Sequence, residues 1–65
     1  MRIYIVTVIR NGFETVSQEG YDSLEKAQAF IESRAEKPWQ INPWYYWSNG
    51  KHGFADYMIH DILVR

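Results

Sequence analysis

The sequence contains no cysteine, and for a chain of 65 residues that absence limits how a fold can be stabilised. A domain of this size buries only about 60% of the surface that its unfolded chain exposes, and many such domains depend on disulfides, a metal or a partner subunit. A disulfide within the chain is excluded, and two histidines are too few for the usual structural zinc site. We therefore expect large aromatic side chains or self-association to supply the missing stabilisation.

The composition predicts that residues 1–65 form one small folded domain. The charged fraction of 23% and the hydrophobic fraction of 46% are ordinary for a globular protein. Seven Lys and Arg stand against eight Asp and Glu, and the resulting net charge of -1 provides no general attraction to nucleic acid or to a membrane. With neither a signal segment nor a membrane-spanning run visible, we interpret the chain as a cytoplasmic protein that does not enter the membrane.

The first 20 residues have the pattern of a β-hairpin. Arg2–Arg10 is apolar and β-branched on both faces of an extended chain, which is typical of a central strand. Asn11 and Gly12 follow, and this pair favours a type I′ turn because both residues tolerate positive φ. The polar segment 13–19 is then predicted to return as an edge strand.

A helix is predicted over residues 23–36, with Asp22 as its N-cap and Glu25 completing a capping box. Pro38 is expected to end it. Four apolar residues at helical spacing would form the face that packs on the sheet. They are Leu24, Ala27, Ile31 and Ala35.

The second half of the chain predicts a second hairpin. The second half of segment 39–47 is strand-like, and it is followed by a turn cluster at 48–53 and an apolar strand at 54–64. A bulge is expected in this last strand near His60 and Asp61. The predicted fold is therefore α+β, in the order ββαββ, with a four-stranded antiparallel sheet and one helix packed on one face. The most apolar strands are the first and the last, which predicts the strand order 2-1-4-3. Because the one helix packs on one face of the sheet, the other face is left uncovered.

An aromatic segment is the strongest functional feature of the sequence. All three tryptophans and two of the five tyrosines lie within residues 39–47. Core packing is the simpler interpretation for each ring, but one helix-on-sheet interface cannot easily bury all five, so some are expected to form a contact surface. The candidate binding residues are Trp39, Trp44, Tyr45, Tyr46, Trp47 and Lys51. Interfaces are enriched in Trp and Tyr, so the expected partner is another protein or a second copy of the chain.

Binding of single-stranded nucleic acid is the alternative function. Aromatic rings stack on unpaired bases, and Lys37, Lys51 and His52 could contact phosphates. The basic residues are scattered, however, and the net charge is negative, whereas nucleic-acid modules are usually basic.

A catalytic or metal site is not expected. His52, Asp56 and His60 are spaced by four, but four residues of a strand span about 13 Å, which is too far for one ion. His60 beside Asp61 forms a polar pair without a nucleophile. The sequence therefore predicts a binding module, not an enzyme, with no cofactor and no metal.

The first half of the chain resembles small uncharacterised proteins of bacteria and their phages. The resemblance lies in Ile3-Tyr4-Ile5-Val6, then Asn11-Gly12, then Gly20-Tyr21-Asp22-Ser23-Leu24-Glu25-Lys26-Ala27 and Phe30-Ile31. It implies an accessory protein of a bacterial or prophage genome that acts by binding, and it assigns no functional residue.

Overall fold

The computed structural model describes residues 1–50 and 53–64, and Lys51, His52 and Arg65 lie outside the described residues. The elements in chain order are β1 (Arg2–Arg10), β2 (Glu14–Tyr21), α1 (Leu24–Arg34), β3 (Trp39–Asn42), β4 (Tyr45–Gly50) and β5 (Gly53–Leu63). All five strands form one antiparallel sheet in the order β2-β1-β5-β4-β3. The α+β class is confirmed, whereas the four-stranded ββαββ arrangement is wrong because the chain is ββαβββ. The predicted order 2-1-4-3 corresponds to β2-β1-β5-β4, and β3 extends it.

The additional strand β3 arises from a turn within the aromatic segment. The Asn42 side-chain Oδ1 accepts a hydrogen bond from the Trp44 backbone N–H at 2.8 Å, an Asx turn around Pro43. This turn folds β3 back on β4, so that Trp39 lies opposite Trp47. The first half of the aromatic segment therefore continues the sheet as an edge strand and does not cover either of its faces.

The first hairpin follows its sequence signal closely. Asn11 and Gly12 have φ values of 53° and 80°, as the central residues of a type I′ turn require. Phe13 belongs to the turn, so β2 begins at Glu14, and β2 lies at the sheet edge as predicted.

The bulge expected in the last strand is absent. From Leu63 to Ala55, β5 pairs with β1 without any shift of register. The expectation of a bulge near His60 and Asp61 is therefore wrong. The irregularities occur in the two edge pairings, between β1 and β2 and between β3 and β4. The pairing of β5 with β4 covers Gly53–Met58, so at His60 and Asp61 its paired strand is β1. An extra residue there would change which side of the sheet the following residues of β5 occupy.

Helix α1 is shorter than predicted, and its N-cap is Ser23. The Ser23 hydroxyl accepts a hydrogen bond from the Lys26 backbone N–H at 3.2 Å, while Asp22 pairs with the Lys26 ammonium. The Asp22 cap is therefore wrong, because Ser23 is the extended residue directly before the first helical one. The helix ends at Arg34, and Ala35 is already extended. In the described ranges no helix has the length and apolar character needed to cross a membrane.

The core lies between α1 and one face of the sheet. Ala27 and Ile31 of the helix are fully buried and belong to one cluster with the buried strand residues Val6 and Ile59. Val6 and Ile59 are paired across β1 and β5, so strand alternation directs the same parity of residues toward the helix in both strands. The opposite parity lies on the sheet face that α1 does not cover.

Candidate functional site

One side of the sheet is not packed against α1 in the part of the chain that the structure describes. Because Val6 and Val8 face the core, the alternate residues of β1 lie on the opposite side, and the registers of β5, β4 and β3 continue this side across the sheet. We call this side the open face and define it by Ile3, Ile5, Thr7, Ile9, Trp39, Tyr45, Trp47, Asp56, Met58, His60 and Ile62.

Aliphatic side chains dominate the half of the open face formed by β1 and β5. Ile3 lies opposite Ile62 in the β1–β5 pairing, and Ile62 is 47% exposed. Gly20 of β2 lets this apolar area widen, since a Cβ atom there would lie 3.1 Å from Ile3 Cγ2 and 3.4 Å from Ile5 Cδ1. The isoleucine side chains therefore extend over the neighbouring edge strand.

Three polar side chains of the open face, Thr7, Tyr45 and Asp56, have hydrogen-bond partners within the chain. The Tyr45 hydroxyl donates to Asp56 Oδ1 at 2.5 Å, and this hydrogen bond, with burial, raises the pKa of Tyr45. Thr7 is buried and accepts a hydrogen bond from Gln18 Nε2 at 3.3 Å. The carboxylate of Asp56 is thus engaged within the surface, which lowers the cost of covering it.

Among the described strand residues, few positively charged groups lie on the open face. Of the described strand residues, the two arginines are Arg2 and Arg10, and their parity in β1 places both on the helix side. Arg2 forms an ion pair with Asp61, which lies on the same side. His60 is therefore the basic side chain that the described strands contribute to the open face.

The aromatic segment is divided between the two faces of the sheet. Trp39, Tyr45 and Trp47 belong to the open face, and Trp39 is the most exposed of them at 67%. Trp44 lies in the β3–β4 turn and stacks on Tyr4 of the helix side, with ring centroids 5.9 Å apart. The five candidate rings therefore do not form one surface, because the residues of an extended chain alternate between faces.

Tyr46 is part of the core. It is 2% exposed, and its hydroxyl donates to Glu32 Oε2 and accepts from Gln40 Nε2, each at 3.0 Å. Burial, followed by the hydrogen bond to Glu32, raises the pKa of Tyr46 to about 12. A binding role by direct contact would require this ring to leave the core. Lys51, the remaining candidate, lies outside the described residues.

Tyr46 is expected to make the fold sensitive to alkaline pH. Its pKa is higher in the folded protein than the ordinary value of 10.0, so its contribution is complete below that value and is lost as the pH rises through about 12. Tyr46→Phe should therefore show a smaller fall in the free energy of unfolding than the wild type between pH 10 and 12. Part of the fall in the free energy of unfolding should remain in Tyr46→Phe, because burial and the hydrogen bond to Glu19 also raise the pKa of Tyr21 to about 12. Urea unfolding across this pH range measures it, and identical slopes for both proteins would contradict the assignment.

The histidine and carboxylate residues singled out in the sequence are not brought together. Asp56 and His60 both lie on the open face, whereas Asp61 lies on the helix side beside Arg2. His52 lies outside the described residues. In the ranges 1–50 and 53–64, no three His, Cys, Asp or Glu side chains are grouped in a way that could hold a metal ion.

A cavity lies on the helix side, beyond the C-terminal end of α1. Its volume is about 240 Å³, and it exists because small residues of β4 and β5, among them Ser48, Gly50 and Ala55, face the end of the helix. Arg10 and Arg34 line it together with Glu36. The Arg34 guanidinium also lies over the Phe30 ring, 5.4 Å from its centroid. This cavity is separate from the open face.

No protein-family model, curated protein or solved structure matches the chain. The candidate function therefore depends on the geometry of the open face.

The aliphatic members of the open face are functional candidates that the aromatic segment did not indicate. Ile3, Ile5, Met58 and Ile62 belong to the two strands that were predicted to be central, and the predicted fold left one sheet face uncovered without assigning residues to it. The sequence nevertheless contained a signal for them, because β1 is apolar on both of its sides. The one helix of the described chain can cover only one of these sides.

Proposed function

We propose that this chain is a protein-binding module without catalytic activity and that it contacts its partner through the open face. The observation that supports the proposal is that the side of the sheet left uncovered by α1 carries aliphatic and aromatic side chains, of which Trp39, Met58 and Ile62 are exposed. The polar residues Thr7, Asp56 and His60 lie among them. Large exposed apolar surfaces on small proteins typically mark interaction sites.

A protein partner fits this surface better than a nucleic acid does. Single-stranded nucleic acids are bound by aromatic rings set in a positively charged groove, because each base carries a phosphate. The open face has the rings, but the described strands contribute His60 and neither of their arginines to it. Lys37 lies between α1 and β3, so its charge is not within the sheet surface. Protein interfaces favour Trp, Tyr and Met without requiring positive charge.

The proposed setting is the cytoplasm of a bacterial cell, with the chain as an accessory protein of a bacterial or prophage genome. The resemblance of its first half to small bacterial and phage proteins supports this setting. A chain without cysteine also has no need of an oxidising compartment.

The test compares two tryptophan variants of the same hairpin. Trp39→Ser removes a ring of the open face, whereas Trp44→Ser removes a ring of the helix side, and circular dichroism establishes that each variant is folded. Immobilised wild type and Trp44→Ser should retain the same proteins from a bacterial extract. Trp39→Ser should bind them at least about 30-fold more weakly, which corresponds to about 2 kcal/mol for an interface hot spot.

Two results would contradict the proposal. One is equal retention by wild type and Trp39→Ser, which would show that the open face does not make the contact. The other is quenching of tryptophan fluorescence by a single-stranded oligonucleotide that weakens as salt is added, which would favour the nucleic-acid alternative.

A further inference from the structure

We propose that the occupant of the open face is a second copy of this chain, so that two sheets pack face to face about a twofold axis. The inference rests on the proposed function, since it uses the same surface, and it goes further by naming the partner. Three properties of the described residues support it: the size of the face, its charge and the small extent of the core.

The area of the open face matches the requirement of a stable dimer. The molecule measures 39 × 20 × 17 Å, and the eleven residues of β5 extended at about 3.4 Å each account for most of the longest dimension. Five strands spaced by about 4.8 Å account for the second dimension. Because β3 and β4 have only four and six residues, the face is smaller than this rectangle, roughly 600 Å² at these spacings, which lies at the lower end of what each partner contributes to a specific interface.

The charge distribution permits the face to meet itself. In a twofold interface each patch contacts the same patch of the other copy, so a surface rich in one charge would repel itself. On the open face the Asp56 carboxylate is engaged by the Tyr45 hydroxyl, and both arginines of β1 lie on the other side. Near its centre the apolar Ile5 and Met58 lie opposite His60 and Thr7, so the charge there comes from one histidine and the engaged Asp56. A partner chosen by charge complementarity would require a more strongly charged surface.

The internal core leaves apolar residues that the described chain covers only in part. Among the described residues, the buried apolar cluster on the helix side consists of seven, three of which belong to α1 or its C-terminal end. Two sheets packed face to face lie about 10 Å apart and interdigitate their side chains. A second copy would therefore cover the isoleucines of β1 and β5 and complete the burial that a 65-residue chain cannot achieve alone.

Sedimentation equilibrium of the full chain over a wide concentration range tests this inference. The wild type is expected at twice the 7.8 kDa mass of one chain. Ile62→Lys places a charge on the open face and should raise the dissociation constant by about a hundredfold or more, because the ammonium would be covered without a partner. Leu63→Lys is the matched control: the neighbouring residue is 62% exposed, lies on the opposite side of the same strand and should leave the dimer unchanged.

A monomeric wild type at every concentration would overturn the dimer, as would dissociation constants that change equally in the two lysine variants. Met58→Gln, a milder change on the same face, decides the question if Ile62→Lys fails to fold, and it should also weaken the dimer. The proposed function fails separately, through the comparison of Trp39→Ser with Trp44→Ser. A monomer whose Trp39→Ser variant loses its bound proteins would refute the second copy and leave the binding function in place.

Discussion

Replacing Ile31 with Ala is expected to lower the free energy of unfolding by about 2–5 kcal/mol. Ile31 has no exposed surface and is one of the largest fully buried side chains of the described structure. It lies one helical turn from Ala27, which is also fully buried, so the neighbouring residues have little freedom to fill the space that the missing methyl groups leave. A domain of this length has a total stability of only about 3–10 kcal/mol. The substitution should therefore remove a large part of it.

Ile41→Ala is the matched control for this prediction. Ile41 lies in the edge strand β3 and is 54% exposed, so the same deletion should cost less than about 1 kcal/mol. Urea unfolding followed by circular dichroism measures both variants, at one protein concentration because self-association would add to the apparent stability. Equal losses would show that the helix-side core does not dominate the stability of the fold.

Gly53→Ala is expected to cost about 1–3 kcal/mol. Gly53 begins β5 with a φ of 104°, a conformation that residues with a side chain rarely adopt. The added Cβ atom would also overlap the side-chain Oδ1 of Asn11, because the β1–β2 turn approaches the start of β5 closely and the Asn11 N–H donates to the Phe54 carbonyl at 2.8 Å. The substitution therefore strains the end of the sheet at which β1 and β5 meet.

Asn11→Gly separates the two causes of this loss. In the Gly53→Ala background it removes the overlapping side chain while the positive φ remains, so part of the lost stability should return. Thermal or urea unfolding of the two single variants and the double variant measures the coupling between the sites. Additive effects would indicate that the backbone strain alone is responsible, and no loss in Gly53→Ala would contradict the close approach of the turns.

Several elements could be predicted from the sequence because their signals are local. The Asn11-Gly12 pair requires nothing beyond its own φ preferences to form a turn, and the apolar spacing of residues 24–35 indicates a helix in any context. The apolar character of β1 and β5 was sufficient to place them at the centre of the sheet. The α+β class follows from these elements together.

The predictions from sequence were wrong where two neighbouring residues suited the same role equally well, or where strand pairing determined the conformation. Asp22 and Ser23 are both good N-caps, and which one precedes the first helical residue depends on how the helix is positioned on the sheet. β3 has only four residues, and its strand conformation depends on pairing with β4 across the Asn42 turn. A short edge strand of this kind has no strong signal of its own.

For the candidate binding residues, too, the local pattern and the strand pairing decided different things. The sequence by itself determined that an unusual number of aromatic rings would occur together and that one helix could cover only one face of the sheet. Only the tertiary structure decided that Trp39, Tyr45 and Trp47 share the open face with the isoleucines of β1 and β5, while Tyr46 is buried against α1. The reason is that a shift of one residue in strand register exchanges the two faces, and register is fixed by pairing and core packing rather than by the composition of the segment.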